Sequence, residues 1–434
     1  MTYLIERPTV FVGSFEERFL QLPDEVLVAV MRKHQRYFPV YDQAGKLLPN
    51  FIGVRNGDSE HLAKVVHGNE QVIRARFSDA VFFYDNDKEK KITDFLPELD
   101  KLTFQGDLGS MLDKTHRLEK LIGPVADMLG LNDADKATAA RAASLAKADL
   151  GSNMVVEMTS LQGIMGGNYA RMSGETDAVA TAIAEQYNGV SQTQAGMAVA
   201  IADRLDSLTG LFAAGLAPKG SNDPFALRRA AIHIVENLIA NKVSLDLRDG
   251  IKAAAALMPE SDKINAGWDQ QKGTMAFIQD RLSVILEGKG FGPALVRAVL
   301  SEQAHDPFMA SQAVADLDAA IKADGWESML DAYARCVRII RKVTDKHELR
   351  VSDLTLDQEK DLAAALGGAQ LAADGTVGTF VASLWQLAPA INKFFDDVMV
   401  MDEDENVRNN RLALMQGIAG LAKGIADLSE LEGF

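Results

Sequence analysis

The sequence predicts a mainly α-helical, multi-domain protein that begins with a small α+β part. Three observations lead to this prediction. The chain has 434 residues, enough for about two to four domains of ordinary size. In the first hundred residues, short apolar segments alternate with turn residues, which is typical of strands and hairpins. From about Gly109 onward, alanine-rich segments with helical spacing replace them.

The N-terminal part, residues 1–108, is expected to combine strands with one helix. Strand-like segments occupy residues 9–12, 37–41 and 51–54, and turn residues stand at Gly13, Gly45 and Pro49-Asn50. Residues 24–34 have helical spacing and follow a proline, which is a common helix start. Together these segments predict a small α+β domain.

The remainder is expected to form two helical domains, residues 109–270 and 280–434. Helices are predicted over residues 137–150, 176–187, 195–211 and 224–240. The last of these should begin at Asp223-Pro224, because an aspartate cap followed by proline favours a helix start. A polar stretch at residues 260–273 is expected to join the two domains, after which helical periodicity resumes at Met275.

Composition limits the classes of protein. The net charge is −16, from 45 basic and 61 acidic residues, which argues against indiscriminate coating of nucleic acid but allows local basic stripes. A single cysteine, Cys336, excludes an internal disulfide and a cysteine-based metal cluster. The start of the chain lacks a secretion pattern, and no apolar run approaches the roughly 18 residues that cross a bilayer. A cytoplasmic protein without membrane contact is therefore expected.

Three residues in the predicted middle helices are weak candidates for metal ligands: His116, Asp149 and Asp203. Their types and order resemble the HD-type helical domain, in which imidazole and carboxylate groups from several helices meet at a divalent cation. Ala148 stands where the active pattern has its second histidine. We therefore expect a structural remnant that holds no metal, with a metal-dependent nucleotide phosphohydrolase as the alternative.

Two segments carry basic residues suited to RNA phosphates. The first surrounds the predicted helix start at Asp223, because unpaired N–H groups at a helix start favour an anion. The second, residues 329–342, places apolar residues on one helical face and cations on roughly the opposite face, with a local charge of +3. Internal salt bridges in the first segment and a solvated face in the second are the alternatives. The candidates are Lys219, Arg228 and Arg229 in the first segment and Arg335, Arg338, Arg341 and Lys342 in the second.

A third candidate segment opens the last predicted helix, near the C-terminus. Asn410 and Arg411 follow an acidic loop there and are polar side chains of the type that read unstacked bases. The preceding aromatics, Phe394 and Phe395, are more often core residues than stacking platforms. None of the usual catalytic motifs is present, so no catalytic residue is predicted.

Six long strings, in collinear order, resemble one family over nearly the whole chain. They are LPDEVLVAVMRKHQRYFPVYDQAGKLLPNFIGVRNG, GNEQVIRARFSDAVFFYDND, LQGIMGGNYA, IADRLDSLTGLFAAG, PKGSNDPFALRRAA and FFDDVMVMDEDENVRNNRLALM. Together they are similar to the beta subunit of bacterial two-subunit glycyl-tRNA synthetases. Family members usually carry a substantial region before the YLIERP-like string, so this chain is expected to lack that region.

The resemblance implies a division of labour. In this family an alpha subunit holds the glycine and ATP site, so ATP and Mg²⁺ are expected there, and this chain is expected to bind no cofactor. The beta subunit is expected to bind the acceptor arm and anticodon of tRNA-Gly within a heterotetramer. The resemblance also implies an HD-like middle domain and a C-terminal helical anticodon-binding bundle. A helical adaptor without an RNA role is the remaining alternative.

Overall fold

The computed structural model describes residues 5–434, apart from the side chain of His34. It is mainly helical, as predicted, and within the described residues the sheets are small and end at Ser110. The described residues form two compact units. The first contains the chain up to residue 216 and residues 253–267, and the second contains residues 217–252 and 268–434. The boundaries of these units differ from those of the three domains predicted from the sequence, residues 1–108, 109–270 and 280–434. The three-domain division stays a prediction.

The N-terminal sheet confirms the predicted strands. Its antiparallel strands are β1 (Pro8–Ser14), β2 (Phe38–Tyr41) and β3 (Leu47–Asn56), in the order β1-β3-β2. The prediction of a turn at Pro49-Asn50 is wrong, because both residues lie within β3. Pro49 has no N–H group to donate to a neighbouring strand. It is tolerated because the pairing of β3 with β1 ends at Asn50, and because the pairing of β3 with β2 is irregular at this place.

The rest of the first unit is helical apart from one short hairpin, and it contains a long helix that was not predicted from the sequence. This helix, α2, has 26 residues but buries only a narrow stripe with Ile73, Phe77 and Ala80, spaced by four and three residues. The elements of this part are α1 (Asp24–Ala29), α2 (Leu62–Asp87), β4 (Thr103–Gln105), β5 (Gly109–Ser110), α3 (Met111–Met128), α4 (Asp133–Leu145), α5 (Asn153–Glu157), α6 (Ile164–Met172), α7 (Asp177–Glu185) and α8 (Gln194–Ala213).

Helix α8 forms the centre of the helical part of this unit. It packs against α3, α4 and α7 and is buried along most of its length. Helix α6 packs on α7 through small residues, since a side chain at Gly167 would come within 2.8 Å of the Ala180 carbonyl oxygen. The glycines in this segment therefore permit close helix packing and bring the start of α6 next to buried polar groups.

The remaining helices extend to the C-terminal end of the chain. They are α9 (Leu227–Asn241), α10 (Leu247–Ala255), α11 (Trp268–Gly288), α12 (Pro293–Gln303), α13 (Pro307–Ala320), α14 (Trp326–Ile340), α15 (Asp357–Ala372), α16 (Val377–Asp397) and α17 (Glu405–Gly420). In the second unit, α14 packs on α16 and α17, and α15 packs on α16. Among the described helices, none is both long and apolar enough to cross a membrane.

The predicted helix start at Asp223-Pro224 is wrong by three residues. Helix α9 begins at Leu227, after Ala226 adopts a left-handed conformation with φ of 54°. The aspartate nevertheless supplies the cap, because its carboxylate accepts hydrogen bonds from the backbone N–H groups of Leu227 and Arg228, both at 2.9 Å. The sequence thus identified the capping residue but not the first helical residue.

Candidate functional site

The three candidate metal ligands have different environments. His116 is exposed on α3, whereas Asp149 is fully buried and the side chain of Asp203 is 14% exposed. Asp149 follows α4 in a short 3-10 turn, and Asp203 lies on α8. Within residues 5–434, no group of three or more His, Cys, Asp or Glu side chains is arranged to hold a metal ion.

Asp203 is instead part of a buried group of charged side chains, here called the ionic cluster. Its members are Lys114, Arg117, Lys147, Asp203 and Asp206. The two lysine ammonium groups lie 3.0 and 2.9 Å from different oxygens of Asp203. Asp206 contacts the Lys114 ammonium at 2.8 Å and the Arg117 guanidinium at 2.6 Å. The protein's own cations therefore occupy the positions in which a metal would have to meet these carboxylates.

Burial and charge act against each other on the pKa values of the ionic cluster. Burial alone would raise the pKa of Asp203, but the charges of Lys114 and Lys147 outweigh it and hold that pKa well below its usual value. Burial also lowers the pKa of Lys147, where the nearby Lys114 charge adds to the effect and Asp203 opposes it. Burial also acts to lower the pKa of Lys114, but the charges of Asp203 and Asp206 outweigh this effect, so its pKa is raised. The cluster is thus a structural network of three cations and two anions, in which each carboxylate contacts two cations.

Asp149 is a buried carboxyl that holds the start of α6. One of its oxygens accepts hydrogen bonds from the backbone N–H groups of Gly163 at 2.6 Å and Gly166 at 3.0 Å. Its other oxygen is buried and has no hydrogen-bond partner among the described residues. Burial raises the pKa of Asp149 to about 6, although the two backbone bonds and the charge of Lys147 act in the opposite direction.

This raised pKa predicts a pH-dependent effect of the substitution Asp149→Asn. The folded state holds the proton more tightly than the unfolded state, so wild-type stability falls as pH rises from about 4 to about 6. Asparagine keeps a carbonyl acceptor for the two N–H groups but does not titrate. We expect the stability of the variant relative to wild type to improve by about 2 kcal/mol between pH 4.5 and pH 7.5.

Urea unfolding at the two pH values measures this difference. The exposed Asp133 on α4 provides the matched control, because Asp133→Asn removes a carboxylate in the same unit without a buried environment. The same pH dependence for both variants would show that Asp149 ionises as an ordinary carboxyl in the folded protein.

The first group of candidate RNA contacts surrounds the start of α9. Lys219 and Arg229 are exposed, and neither forms an ion pair with another described residue. Arg228 is half-buried, donates to the carbonyl of Gly220 and lies 3.6 Å from the Asp223 carboxylate. Since Asp223 also occupies two N–H groups of the helix start, this place offers two exposed cations but no vacant anion site.

The second group forms a basic stripe on α14 and the residues that follow it. Of the residues on the predicted apolar face, Leu330 and Tyr333 are buried, whereas Val337 and Ile340 are half-buried. On the predicted basic face, Arg338 is exposed. Arg335 is half-buried, with its guanidinium 4.4 Å from the centre of the Phe395 ring. The basic stripe comprises Arg335, Arg338, Arg341 and Lys342.

Within the basic stripe the cations differ in how strongly the protein engages them. Arg338 lies 3.5 Å from Asp331, in an exposed pair that contributes little to stability. Arg341 and Lys342 are exposed and make no ion pair within the part of the chain that the structure describes. The C-terminal end of the stripe is therefore the part most available to an anionic partner.

The third group, Asn410 and Arg411, is buried and bonded inside the second unit. The Arg411 guanidinium donates to Glu359 at 2.6 Å, to Asp402 at 2.7 Å and to the Met399 carbonyl at 2.8 Å. Asn410 accepts from the N–H of Arg350 at 2.8 Å and donates to its carbonyl at 2.9 Å. A role for either side chain as a direct base reader would require these bonds to break, so we assign both a positioning role instead.

A cavity of about 260 Å³ lies beside these two residues and was not anticipated from the sequence. Its lining comes from the loop after α14, the start of α15 and the first turns of α17. Its polar and charged lining residues include Lys346, His347, Glu348, Arg350, Asp353, Glu359, Asn406, Asn409 and Asn410. The only sequence signal was the concentration of basic residues after residue 340, together with the paired asparagines at 409 and 410.

The fold and the basic stripe define a helical protein with an exposed cationic face on its C-terminal unit. Residues 1–301 match the family model described as glycyl-tRNA synthetase beta subunit, and residues 329–428 match that of the DALR anticodon binding domain. The chain belongs to the glycyl-tRNA synthetase beta subunit family.

Curated relatives agree with this assignment. Proteins named glycine–tRNA ligase beta subunit from Shewanella baltica OS155 and Clostridioides difficile 630 are 40% and 39% identical, over 99% of this chain. One from Haemophilus influenzae PittEE is 39% identical over 100% of it. The matches cover 63%, 64% and 64% of these relatives, so the chain spans somewhat less than two thirds of their length.

Proposed function

We propose that this chain binds tRNA-Gly as the beta subunit of a two-subunit glycyl-tRNA synthetase in the cytoplasm. Its role is to bind the anticodon and the acceptor arm, so that the acceptor end reaches a separate alpha subunit. That subunit uses ATP and Mg²⁺ to attach glycine, and the two kinds of subunit assemble as a heterotetramer. The chain itself supplies no catalytic group to the ligation.

The basic stripe carries this proposal. It lies within the segment that matches the anticodon binding domain, and its cations project from one face of α14 and the loop that follows. Neutralising phosphates releases condensed counterions, which makes such a face an RNA-binding surface whose affinity depends on salt. Because the chain as a whole has a net charge of −16, the attraction for RNA phosphates must come from local groups of cations such as the stripe.

A modest stripe suffices if a second part of the same tRNA is also bound. Lys219 and Arg229 supply exposed cations at the start of α9 for such a contact. Once one region of the tRNA is held, the second contact forms within the complex, and the combined affinity exceeds that of either contact alone. Two weakly basic surfaces can therefore bind one large RNA together with adequate affinity.

The rival function, metal-dependent phosphohydrolysis, has no support from the geometry. The Lys114 and Lys147 ammonium groups already neutralise Asp203, and His116 points to solvent from α3. A metal at this place would require two buried cations to be displaced from their carboxylate partner. The ionic cluster therefore favours a structural role for the middle helices.

Charge reversal of the basic stripe tests the proposed function. The double variant Arg335→Glu and Arg338→Glu should weaken binding to tRNA-Gly by at least about tenfold at 0.1 M salt. It should also flatten the dependence of log affinity on log salt concentration by roughly 1.5 when two phosphate contacts are lost. Filter binding or fluorescence anisotropy across a salt series measures both quantities.

The matched control places the same charge change elsewhere on the second unit. Lys252 and Lys289 are exposed and lie outside the stripe, so Lys252→Glu with Lys289→Glu alters the net charge by the same amount. Equal losses of affinity in the two double variants would mean that only net charge matters. An unchanged affinity and salt slope in the stripe variant would make the stripe a solvated face and remove the basis of the proposal.

A further inference from the structure

We propose that the cavity beside Asn410 receives one unstacked nucleobase of the bound RNA, read by Asn406 and Asn409. The inference rests on the proposed function, since it assumes that RNA follows the basic stripe. It goes beyond that proposal by assigning a pocket, its reading side chains and the buried groups that position them.

Two buried side chains that line the cavity, Glu359 and Asn410, are held in place by hydrogen bonds within the second unit. Glu359 is only 2% exposed; one of its oxygens accepts from Arg411, and the other accepts from the N–H groups of Thr355 and Leu356. Asn410 joins α17 to the backbone of Arg350 through two hydrogen bonds. A cavity whose lining is fixed before binding loses little conformational entropy when a ligand enters.

The loop that closes one side of the cavity is also fixed from α17. The side chain of Gln416 accepts from the N–H of His347 at 3.0 Å and donates to the carbonyl of Asp345 at 2.8 Å. Together with the Asn410 bonds, these contacts hold residues 345–350 against the helix. The loop is therefore positioned by two amide side chains of α17 and not by its own packing alone.

Helix α17 also brings to the cavity two side-chain amides that form no hydrogen bond within the described residues. Asn406 is exposed and Asn409 is half-buried, and neither side-chain amide has a hydrogen-bond partner among residues 5–434. Each amide offers one acceptor oxygen and two N–H donors, which is the combination needed to read the polar edge of a base. Two such groups one helical turn apart on α17 thus face the same space.

The charges around the cavity place phosphates outside it and a neutral group inside. Lys346 and Arg350 carry the positive charge of the basic stripe onto the loop, whereas Glu348 and Asp353 bring negative charge to the same cavity. A bare anion would be repelled by these carboxylates, but a neutral, polar base would not. The cations can hold the phosphates that flank the inserted nucleotide.

The size of the cavity agrees with a single base. Its volume of about 260 Å³ is below the range of roughly 300–1,000 Å³ found for drug-sized ligands. It is therefore too small for a folded RNA element but adequate for one ring system from an unpaired stretch. RNA recognition of this type depends on bases that have left the stack.

The test uses the full chain and tRNA-Gly transcripts that carry an abasic site at each anticodon-loop position in turn. With wild type, loss of the inserted base should weaken binding about tenfold or more at one position. Asn409→Ala should abolish most of that penalty, because the pocket no longer distinguishes a base from its absence. Asn406→Ala, at a more exposed site, is the second variant if Asn409→Ala unfolds the chain.

The controls separate this inference from the proposed function. Gln370→Ala removes an exposed amide from α15, outside the cavity, and should leave the abasic penalty unchanged. The stripe variant Arg335→Glu with Arg338→Glu should weaken binding to every transcript yet keep the penalty. Suppose that the stripe variant loses affinity but both asparagine variants keep the full abasic penalty, or that wild type shows no abasic penalty at any position. The pocket inference is then wrong, while the proposed function still stands. If wild type does not bind tRNA-Gly with a salt-dependent affinity, both proposals fall.

Discussion

Replacing Asp206 by alanine is expected to lower the free energy of unfolding of the first unit by about 3–5 kcal/mol. Asp206 is 1% exposed and accepts from both Lys114 and Arg117. Its removal leaves a guanidinium and an ammonium buried with one counter-charge, Asp203, which Lys147 already shares. For a unit of this size the midpoint of thermal unfolding should fall by roughly 6–20 °C, measurable by calorimetry.

An exposed ion pair in the same unit provides the control for this effect. Asp127 contacts Lys136 at 2.7 Å, and the aspartate side chain is 68% exposed. Asp127→Ala should cost less than about 1 kcal/mol, because solvent already screens the pair. Similar losses for Asp206→Ala and Asp127→Ala would show that the ionic cluster is hydrated in solution and does not depend on mutual neutralisation.

Arg411→Ala is expected to destabilise the second unit by about 3 kcal/mol. The substitution leaves Glu359 buried without its cation and frees the Met399 carbonyl and Asp402. The loss should stay near the lower end of the range for buried pairs, because two backbone N–H groups still bind Glu359. Urea unfolding followed by circular dichroism measures the change.

Arg297 supplies the comparison for that variant. It pairs with Glu430 at 3.1 Å on the surface of the second unit, and its side chain is 58% exposed. Arg297→Ala should therefore change stability by less than about 1 kcal/mol. A loss for Arg411→Ala no larger than this would contradict the positioning role assigned to Arg411 and would restore it as a candidate for direct RNA contact.

Local patterns in the sequence predicted those elements in which neighbouring residues decide the structure. Alternating apolar residues and turn glycines predicted the strands of the N-terminal sheet, and helical spacing predicted helices that correspond to α4, α7, α8, α9 and α14. Helix α2 was missed because only a narrow apolar stripe runs along its 26 residues, which leaves the surrounding sequence polar. The start of α9 was misplaced because the left-handed residue Ala226 separates the cap from the helix.

The same distinction explains which parts of the candidate site could be predicted. The basic stripe follows from angles within one helix, so the sequence correctly predicted an exposed Arg338 on the face opposite an apolar one, which in the structure contains the buried Tyr333. The role of Arg411 depends on Glu359, which is 52 residues earlier in the chain, and no local pattern reveals that partner. The cavity beside Asn410 likewise combines a loop and two helix starts that are distant in sequence.

The ionic cluster shows how a motif-like order of residues can mislead about chemistry. Asp203 stands where a metal ligand was considered, yet its partners are Lys114 and Lys147, which lie 89 and 56 residues earlier. Since the identity of a carboxylate's neighbour decides whether it binds a cation from solution, the sequence could indicate the position of Asp203 but not its role.

The buried Cys336 makes the second unit accessible to a kinetic measurement without any engineered probe. This thiol is fully covered on the inner face of α14, and burial raises its pKa to about 12. A thiolate is the reactive form, so modification in the native state requires α14 to separate from its neighbours. The rate at which a thiol reagent labels the chain, with and without RNA, thus reports how often this helical unit opens and how strongly a bound ligand suppresses the opening.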